Sequence, residues 1–136
     1  MDKRRRRRRL GVDERGWASI VMLRGDICLV DLEPVQGAEA NKRRPAVIVS
    51  NDTANQTAMR LGRGVITVIP VTSNVERVYP FQVLLPAAAT GLTRDSKAQA
   101  EQIRSIAVGR LGDRLGAVPT ALMLDIEDAL RLHLGL

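Results

Sequence analysis

Apolar residues along the chain fall mostly into short runs rich in Val, Ile and Leu, closed by Pro, Asn, Asp or Gly. That punctuation is the mark of strands. Ile27 to Leu32 ends at Glu33-Pro34, and Ala46 to Ser50 is entered through Pro45 and left at Asn51-Asp52. Val65 to Thr72 is a third run, in which Pro70 predicts a bulge or an edge position because proline cannot donate to a ladder. Val78 to Leu85 stops at Pro86, and Ser96 to Ala100 and Ile103 to Val108 follow between Gly91, Asp95 and Gly109. Many short strands at these spacings predict a mainly β fold, a small barrel or sandwich. The end of the chain changes period. Leu122, Ile126, Leu130 and Leu134 recur every four residues, with Thr120 as the expected N-cap after Pro119, acids early and Arg131 and His133 late. This is an amphipathic C-terminal helix of about four turns.

A length of 136 residues without an internal repeat fits one compact domain. Hydrophobic residues make up 45% and charged residues 26%, so the chain is neither disordered by composition nor membrane-spanning, and no membrane partner is expected. The formal charge of +6 points toward nucleic acid, but its placement qualifies that inference. Residues 1–21 hold eight cations against three acids, whereas residues 22–136 are within one charge of neutral. Whatever the body binds, it must use a local cluster. The single cysteine, Cys28, excludes an internal disulfide, and with a single histidine, His133, no metal site and no cofactor is expected. Cys28 lies inside an apolar run and reads as core; His133 complements the dipole of the last helical turn.

Arg4 to Arg9 resembles the positive end of a signal peptide, but the apolar stretch beyond it, Trp17 to Leu23, is short and runs into Arg24-Gly25-Asp26 without a small-residue cleavage pattern. Export is rejected. The run is either a basic arm that adds nonspecific affinity or an upstream extension of the functional chain. Because the strand pattern starts just after Met22, the expected division is a dispensable or disordered extension, 1–21, and a functional domain, 22–136.

The loops carry the chemistry. Glu33 to Arg44 is a twelve-residue connection that ends in Lys42-Arg43-Arg44, the densest cation cluster outside the tail. Pro45 restricts the residue before it to extended backbone, so Arg44 is held at the mouth of a strand, where a fixed guanidinium suits phosphate. Three cations in a loop are more often a solvated surface. Thr72-Ser73-Asn74 offers hydroxyls and an amide at a strand end, and the plain alternative there is a hydrogen-bonded turn. Aromatic residues after Trp17 are only Tyr79 and Phe81. Phe81 is expected in the core by strand alternation, which leaves Tyr79 as the candidate for the surface, with Pro80 between them breaking the alternation that would put both on one face. A single-stranded RNA ligand would therefore be held more by hydrogen bonds and phosphate contacts than by stacking.

Taken in order, these segments resemble the MazF/PemK toxins. The matching residues are Arg24-Gly25-Asp26-Ile27, Asp31-Leu32-Glu33-Pro34, Gly37-Ala38-Glu39, Arg43-Arg44-Pro45-Ala46-Val47-Ile48-Val49 and Val71-Thr72-Ser73. Tyr79-Pro80-Phe81-Gln82-Val83, Arg94-Asp95-Ser96 and Glu101-Gln102-Ile103-Arg104-Ser105-Ile106 complete the set, which runs from Leu23 to the C-terminus. The resemblance implies a small SH3-like barrel with a C-terminal helix, a cytoplasmic homodimer, and a sequence-selective endoribonuclease neutralised by a cognate antitoxin. It implies Arg44 and Thr72 as the catalytic pair. Glu39, Ser96 and Gln102 match further family positions, and with Lys42, Arg43, Ser73, Asn74 and Tyr79 they form the expected RNA-binding set. Many members carry glycine or a neutral residue where this chain has Lys42 and Arg43.

The chemistry is consistent with that implication. RNA supplies its own nucleophile, the 2′-OH, so in-line transesterification needs no metal-bound water. What the protein must supply is positioning, charge stabilisation on the phosphoryl oxygens and help for the leaving 5′-oxygen. Two other classes compete: a noncatalytic RNA-binding barrel, and a CcdB-type gyrase poison, which acts through a tryptophan near its C-terminus. This chain ends His133-Leu134-Gly135-Leu136, and its one tryptophan is Trp17.

Overall fold

The structure, a computed structural model, describes residues 10–12, 18–20, 22–32 and 43–136. In chain order it comprises β1 (Leu10–Val12), β2 (Ala18–Ile20), β3 (Asp26–Asp31), β4 (Arg43–Ile48), α1 (Asp52–Leu61), β5 (Val65–Thr72), β6 (Gln82–Leu85), α2 (Ala87–Thr90), β7 (Ser96–Gln99), β8 (Arg104–Ala107), β9 (Leu111–Ala117) and α3 (Thr120–Leu134). Tight 3₁₀ turns at Ala100–Gln102 and Val108–Arg110 flank β8. Strands β1 and β2 pair, among the described residues, only with each other; the rest form one antiparallel seven-stranded sheet.

The hydrogen-bonded path through that sheet runs β6-β7-β5-β4-β3-β9, with β8 also on β5. It does not return from β9 to β6, so the expected SH3-like barrel is an open one among the described residues. The central strands β3, β4 and β5 read as apolar runs because both faces are covered over most of their length. Ile27, Val47, Ile69, Val71, Leu85 and Ala98 face α3, meeting Met123 and Ile126. Their alternate neighbours Cys28, Val30, Ala46, Ile48 and Val68 face the other way, packing with Ile66, Ile106 and Ala58 of α1.

Several local expectations change. Pro70 is neither at an edge nor in a bulge. It pairs with Ala46 in a central strand. On its other side β5 meets β8 through Val65 to Val68 and β7 through Val71 and Thr72. Pro70 occupies the gap between those two ladders, where a missing N–H removes no bond. Thr120 opens α3 but Pro119 takes the N-cap place without a side-chain bond. The buried stripe of α3 is Met123, Ile126 and Ala129, with Leu122 and Leu130 half-buried beside it and Leu134 exposed. Of Val78 to Leu85 only the second half is strand.

Three elements lie outside the strand-and-helix pattern of the sequence. Helix α1 is mostly polar and buries only Asn55 and Ala58; Asn51 caps it by accepting from the Ala54 N–H at 2.8 Å, and Gly62 closes it in the left-handed conformation. Asn55 is fully buried, and its Nδ2 donates to the Ser50 carbonyl at 2.8 Å. Helix α2 is a single turn ended by Gly91. Strand β9 carries two glycines and two charges, a poor strand by propensity. Its glycines are required sterically: a Cβ at Gly112 would stand 2.9 Å from the Leu29 carbonyl oxygen, and one at Gly116 2.2 Å from that of Thr90.

Arg114 of β9 reaches Asp26 at 3.2 Å, and Asp26 also accepts from the Leu23 N–H at 2.9 Å, which fixes the entry to β3. Arg24 ties the same entry to α3 through Glu127 at 3.0 Å. Cys28 is buried as expected; burial first, then the nearby Asp26, push its thiol up to about 12 against a smaller opposing effect of Arg114. His133 is exposed in the last turn of α3. Among the described residues no helix is long and apolar enough to cross a membrane.

Candidate functional site

Strand β4 begins at Arg43, earlier than its apolar run. Arg43 pairs with Asp31, Arg44 with Val30 and Pro45 with Leu29. The backbone of Arg44 is therefore held in a ladder while its side chain is exposed. On the other side of β4 the register runs Ile48↔Val68, Val47↔Ile69, Ala46↔Pro70. Carried two residues further, the same register sets Arg44 opposite Thr72, and opposed residues of an antiparallel pair share a face. Thr72 in turn pairs with Lys97, and Lys97 with Leu84. One row of side chains thus crosses β3, β4, β5, β7 and β6: Val30, Arg44, Thr72, Lys97, Leu84.

The segment after Thr72 is the hydrogen-bonded turn that its residue types favour. Thr72 Oγ1 accepts from the Asn74 N–H at 3.2 Å, and Asn74 Oδ1 accepts from the Glu76 N–H at 3.3 Å. The turn uses lone pairs only, and among the described residues nothing takes up the Thr72 hydroxyl proton. Ser73 and Asn74 are exposed.

Ser73 lies on the opposite face of the sheet from Thr72. There a groove of about 350 Å³ is lined by Pro45, Val71, Ser73, Thr93, Arg94 and Ser96, among others. Ser96 is buried and donates to the Arg94 carbonyl at 3.0 Å, so its proton is spent within the turn and it offers a ligand only lone pairs. Asp95 accepts from the Ala87 N–H at 2.8 Å, which fixes the same turn from α2. Gln102 is exposed at the end of its 3₁₀ turn. Glu101 beside it points inward and accepts from Gln82 Nε2 at 2.8 Å.

The structure separates the aromatic residues from the core. Phe81 is half-buried rather than a core residue, and its ring stacks on Tyr79, with centroids 5.5 Å apart and planes 4° from parallel. Tyr79 is exposed, as expected. Glu39 and Lys42 lie outside the described residues. A larger cleft of about 560 Å³ between β6 and α3 contains none of the expected site residues.

Sequence reasoning brought together Arg44 and Thr72 but missed Lys97 between Thr72 and Leu84. Its signal was a lysine in the middle of a strand candidate, between Ser96 and Ala98.

A seven-stranded antiparallel sheet with a C-terminal helix, presenting an arginine and a threonine across two strands, defines the class, and the comparisons define the family. Residues 23–134 match the family of PemK-like, MazF-like toxins of type II toxin–antitoxin systems, and the chain belongs to it. It is 63% identical over 116 residues to the endoribonuclease MazF9 of Mycobacterium tuberculosis, covering 85% of this chain and 98% of that one. Among solved structures it is similar to MazF of Deinococcus radiodurans, with a TM-score of 0.67 at 27% identity, covering 87% of this chain and 100% of that one. It is also similar to a mycobacterial endoribonuclease in complex with its cognate antitoxin, with a TM-score of 0.66 at 27% identity, covering 85% and 96%.

Proposed function

We propose that this chain is a sequence-selective endoribonuclease toxin that cuts single-stranded RNA by attack of the 2′-OH on the adjacent phosphorus, and that a cognate antitoxin neutralises it. The observation that carries this reading is the β4–β5 register, which, continued two residues past its last pair Ala46↔Pro70, sets Arg44 opposite Thr72. Arg44 supplies a permanently charged planar fork to the phosphoryl oxygens, stabilising the charge that develops as the new P–O bond forms and the 5′-oxygen departs. Thr72 supplies a hydroxyl proton to orient the 2′-OH or a phosphoryl oxygen. Arg43 and Lys42 attract the backbone; Asn74, Tyr79 and Gln102 contact the bases from exposed positions, Ser73 and Ser96 from the groove on the other face of the sheet, and Glu39 completes the set.

The functional unit is residues 22–136, a reading supported by the family match over residues 23–134. It acts in the cytoplasm as a homodimer, where its substrate is found, and requires no added metal.

The test is incubation of a long unstructured RNA with the protein in excess chelator, followed by mapping of the new ends. Discrete cuts leaving 2′,3′-cyclic phosphate and 5′-hydroxyl ends are expected; intact RNA, or ends carrying 5′-phosphate, would overturn the reading. Under single-turnover conditions Arg44→Lys and Arg44→Ala should both slow cleavage by roughly two orders of magnitude, the scale for loss of one preorganised donor. RNA affinity should fall much less. A near-normal rate for Arg44→Lys would reduce Arg44 to a phosphate-attracting cation.

A further inference from the structure

Lys97 is 7% exposed, although an ammonium is strongly disfavoured inside a protein without compensation. Among the described residues no carboxylate pairs with it. Its Nζ instead donates to the carbonyl of Arg77 at 2.5 Å and lies 5.8 Å from the centre of the Tyr79 ring. A valine or methionine would fill this sheet position at lower cost, so the lysine's contribution is its grip on the segment that follows Thr72.

A second buried polar side chain holds the same segment. Gln82, 8% exposed, accepts from the Tyr79 N–H at 3.1 Å and donates to Glu101 at 2.8 Å. The segment between Thr72 and β6 is thus fastened at its start by the Asn74 turn, at Arg77 by Lys97, and at Tyr79 by Gln82.

What this fastening presents is the Arg77 side chain. It is exposed, has no carboxylate partner among the described residues, and makes one long contact, Nη1 to the Tyr79 hydroxyl at 3.5 Å. Its backbone lies over Lys97, the cross-strand partner of Thr72. A second guanidinium is therefore carried on the segment whose backbone is held by Lys97, the cross-strand neighbour of Thr72.

We propose that Arg77 is a second phosphate-binding residue of the RNA site, and that the buried Lys97 is its positioning residue. The inference rests on the ribonuclease reading and extends it: the RNA backbone is held at two phosphates, one at Arg44 and one beyond Thr72. Lys97 acts through Arg77 and does not itself touch RNA.

The test uses an RNA oligonucleotide bearing the mapped cleavage site, made uncleavable by 2′-O-methylation. Its affinity is measured by fluorescence anisotropy over a range of salt concentrations. Each phosphate contact to a single strand contributes about 0.7 to the slope of log affinity against log salt. Arg77→Ala should lower the slope by about that amount and weaken binding roughly tenfold, with the kinetic loss falling on KM rather than kcat. Lys97→Met, which keeps the aliphatic stem, should reproduce both effects. In an Arg77→Ala background it should not lower the slope further, since the other RNA-contacting residue that Lys97 touches, Tyr79, carries no charge. Tyr79 is the only tyrosine, so fluorotyrosine labelling gives one ¹⁹F resonance that reports on the segment directly. Lys97→Met should shift or broaden it.

An unchanged slope in Arg77→Ala would overturn the phosphate contact. A slope that falls further in the double variant than in Arg77→Ala, or an unmoved resonance in Lys97→Met, would overturn the positioning role. Wild-type protein that leaves RNA uncut would overturn the ribonuclease reading instead, whereas a cutting wild type with an unaltered Arg77→Ala slope overturns this inference alone.

Discussion

Replacing Gly116 by alanine adds one methyl group at a place where two backbones touch. Gly116 pairs with Ile27 across β9 and β3, and on its other side the turn after α2 crosses it. The new Cβ would stand 2.2 Å from the Thr90 carbonyl oxygen and 3.2 Å from its carbon. Ordinary contact requires one of the two chains to retreat by about 1 Å or more. Neither can do so freely. Ile27 is fully buried in the core facing α3, and Thr90 is buried with its hydroxyl donating to the Pro86 carbonyl at 2.9 Å. The obstruction is backbone, not a flexible side-chain end, so the cost belongs at the upper end of overpacking, about 2 to 3 kcal/mol. For a chain of this length that lowers Tm by roughly 8 to 12 °C.

The displacement also reaches the groove, because Gly91, Thr93 and Arg94 line it immediately after the displaced turn. RNA affinity should fall along with stability. Thermal unfolding by circular dichroism, with Gly109→Ala as control, decides the matter; a Cβ at Gly109 meets nothing within 4 Å. A Gly116→Ala protein melting within about 2 °C of the wild type would refute the steric argument.

Asp26→Ala leaves the half-buried Arg114 guanidinium without its charge partner and the Leu23 N–H without its acceptor, and should cost about 3 kcal/mol or more in chemical denaturation; a loss below about 1 kcal/mol would contradict it. Cys28 should be inert to thiol reagents at pH 8 until the chain is unfolded. Because its thiol keeps its proton in the folded state up to about pH 12 while an ordinary thiol ionises near 9.0, stability relative to Cys28→Ala should fall as pH rises from 9 toward 12, and a flat difference would contradict the burial argument. Removal of residues 1–21 should leave one cooperative unfolding transition and RNA cleavage intact, with loss of either counting against the proposed division of the chain.

Strands β3 to β5 were legible because they are covered on both faces over most of their length and so appear as short apolar runs; β6 to β8 were marked instead by the proline, aspartate and glycine residues that bound them. The C-terminal helix was legible because it is covered on one face and repeats with the helical period. Arg44 was marked by the proline that follows it. These are local signals, and the sequence by itself determined them, together with the burial of Cys28. Helix α1 and strand β9 left no such signal. The first buries almost nothing apolar, and the second depends on two glycines whose value lies in distant carbonyls that come close only in the folded chain. Pro70 read as an edge residue because its neighbours are chosen by topology: two different strands share one side of β5, and the proline lies between them.

The site divides in the same way. Its residue types could be read from the chain, and the family resemblance paired Arg44 with Thr72, but how they are brought opposite each other could not be read. Arg44 and Thr72 come together through a register fixed by the packing of both sheet faces, Ser73 and Ser96 turn to the opposite face, and Ser96 spends its proton on a neighbouring carbonyl. Lys97 and Arg77 acquire meaning only there. A lysine twenty residues from the carbonyl it holds carries no mark of that in the sequence, and only the folded sheet, by placing it opposite Thr72, decides what it does.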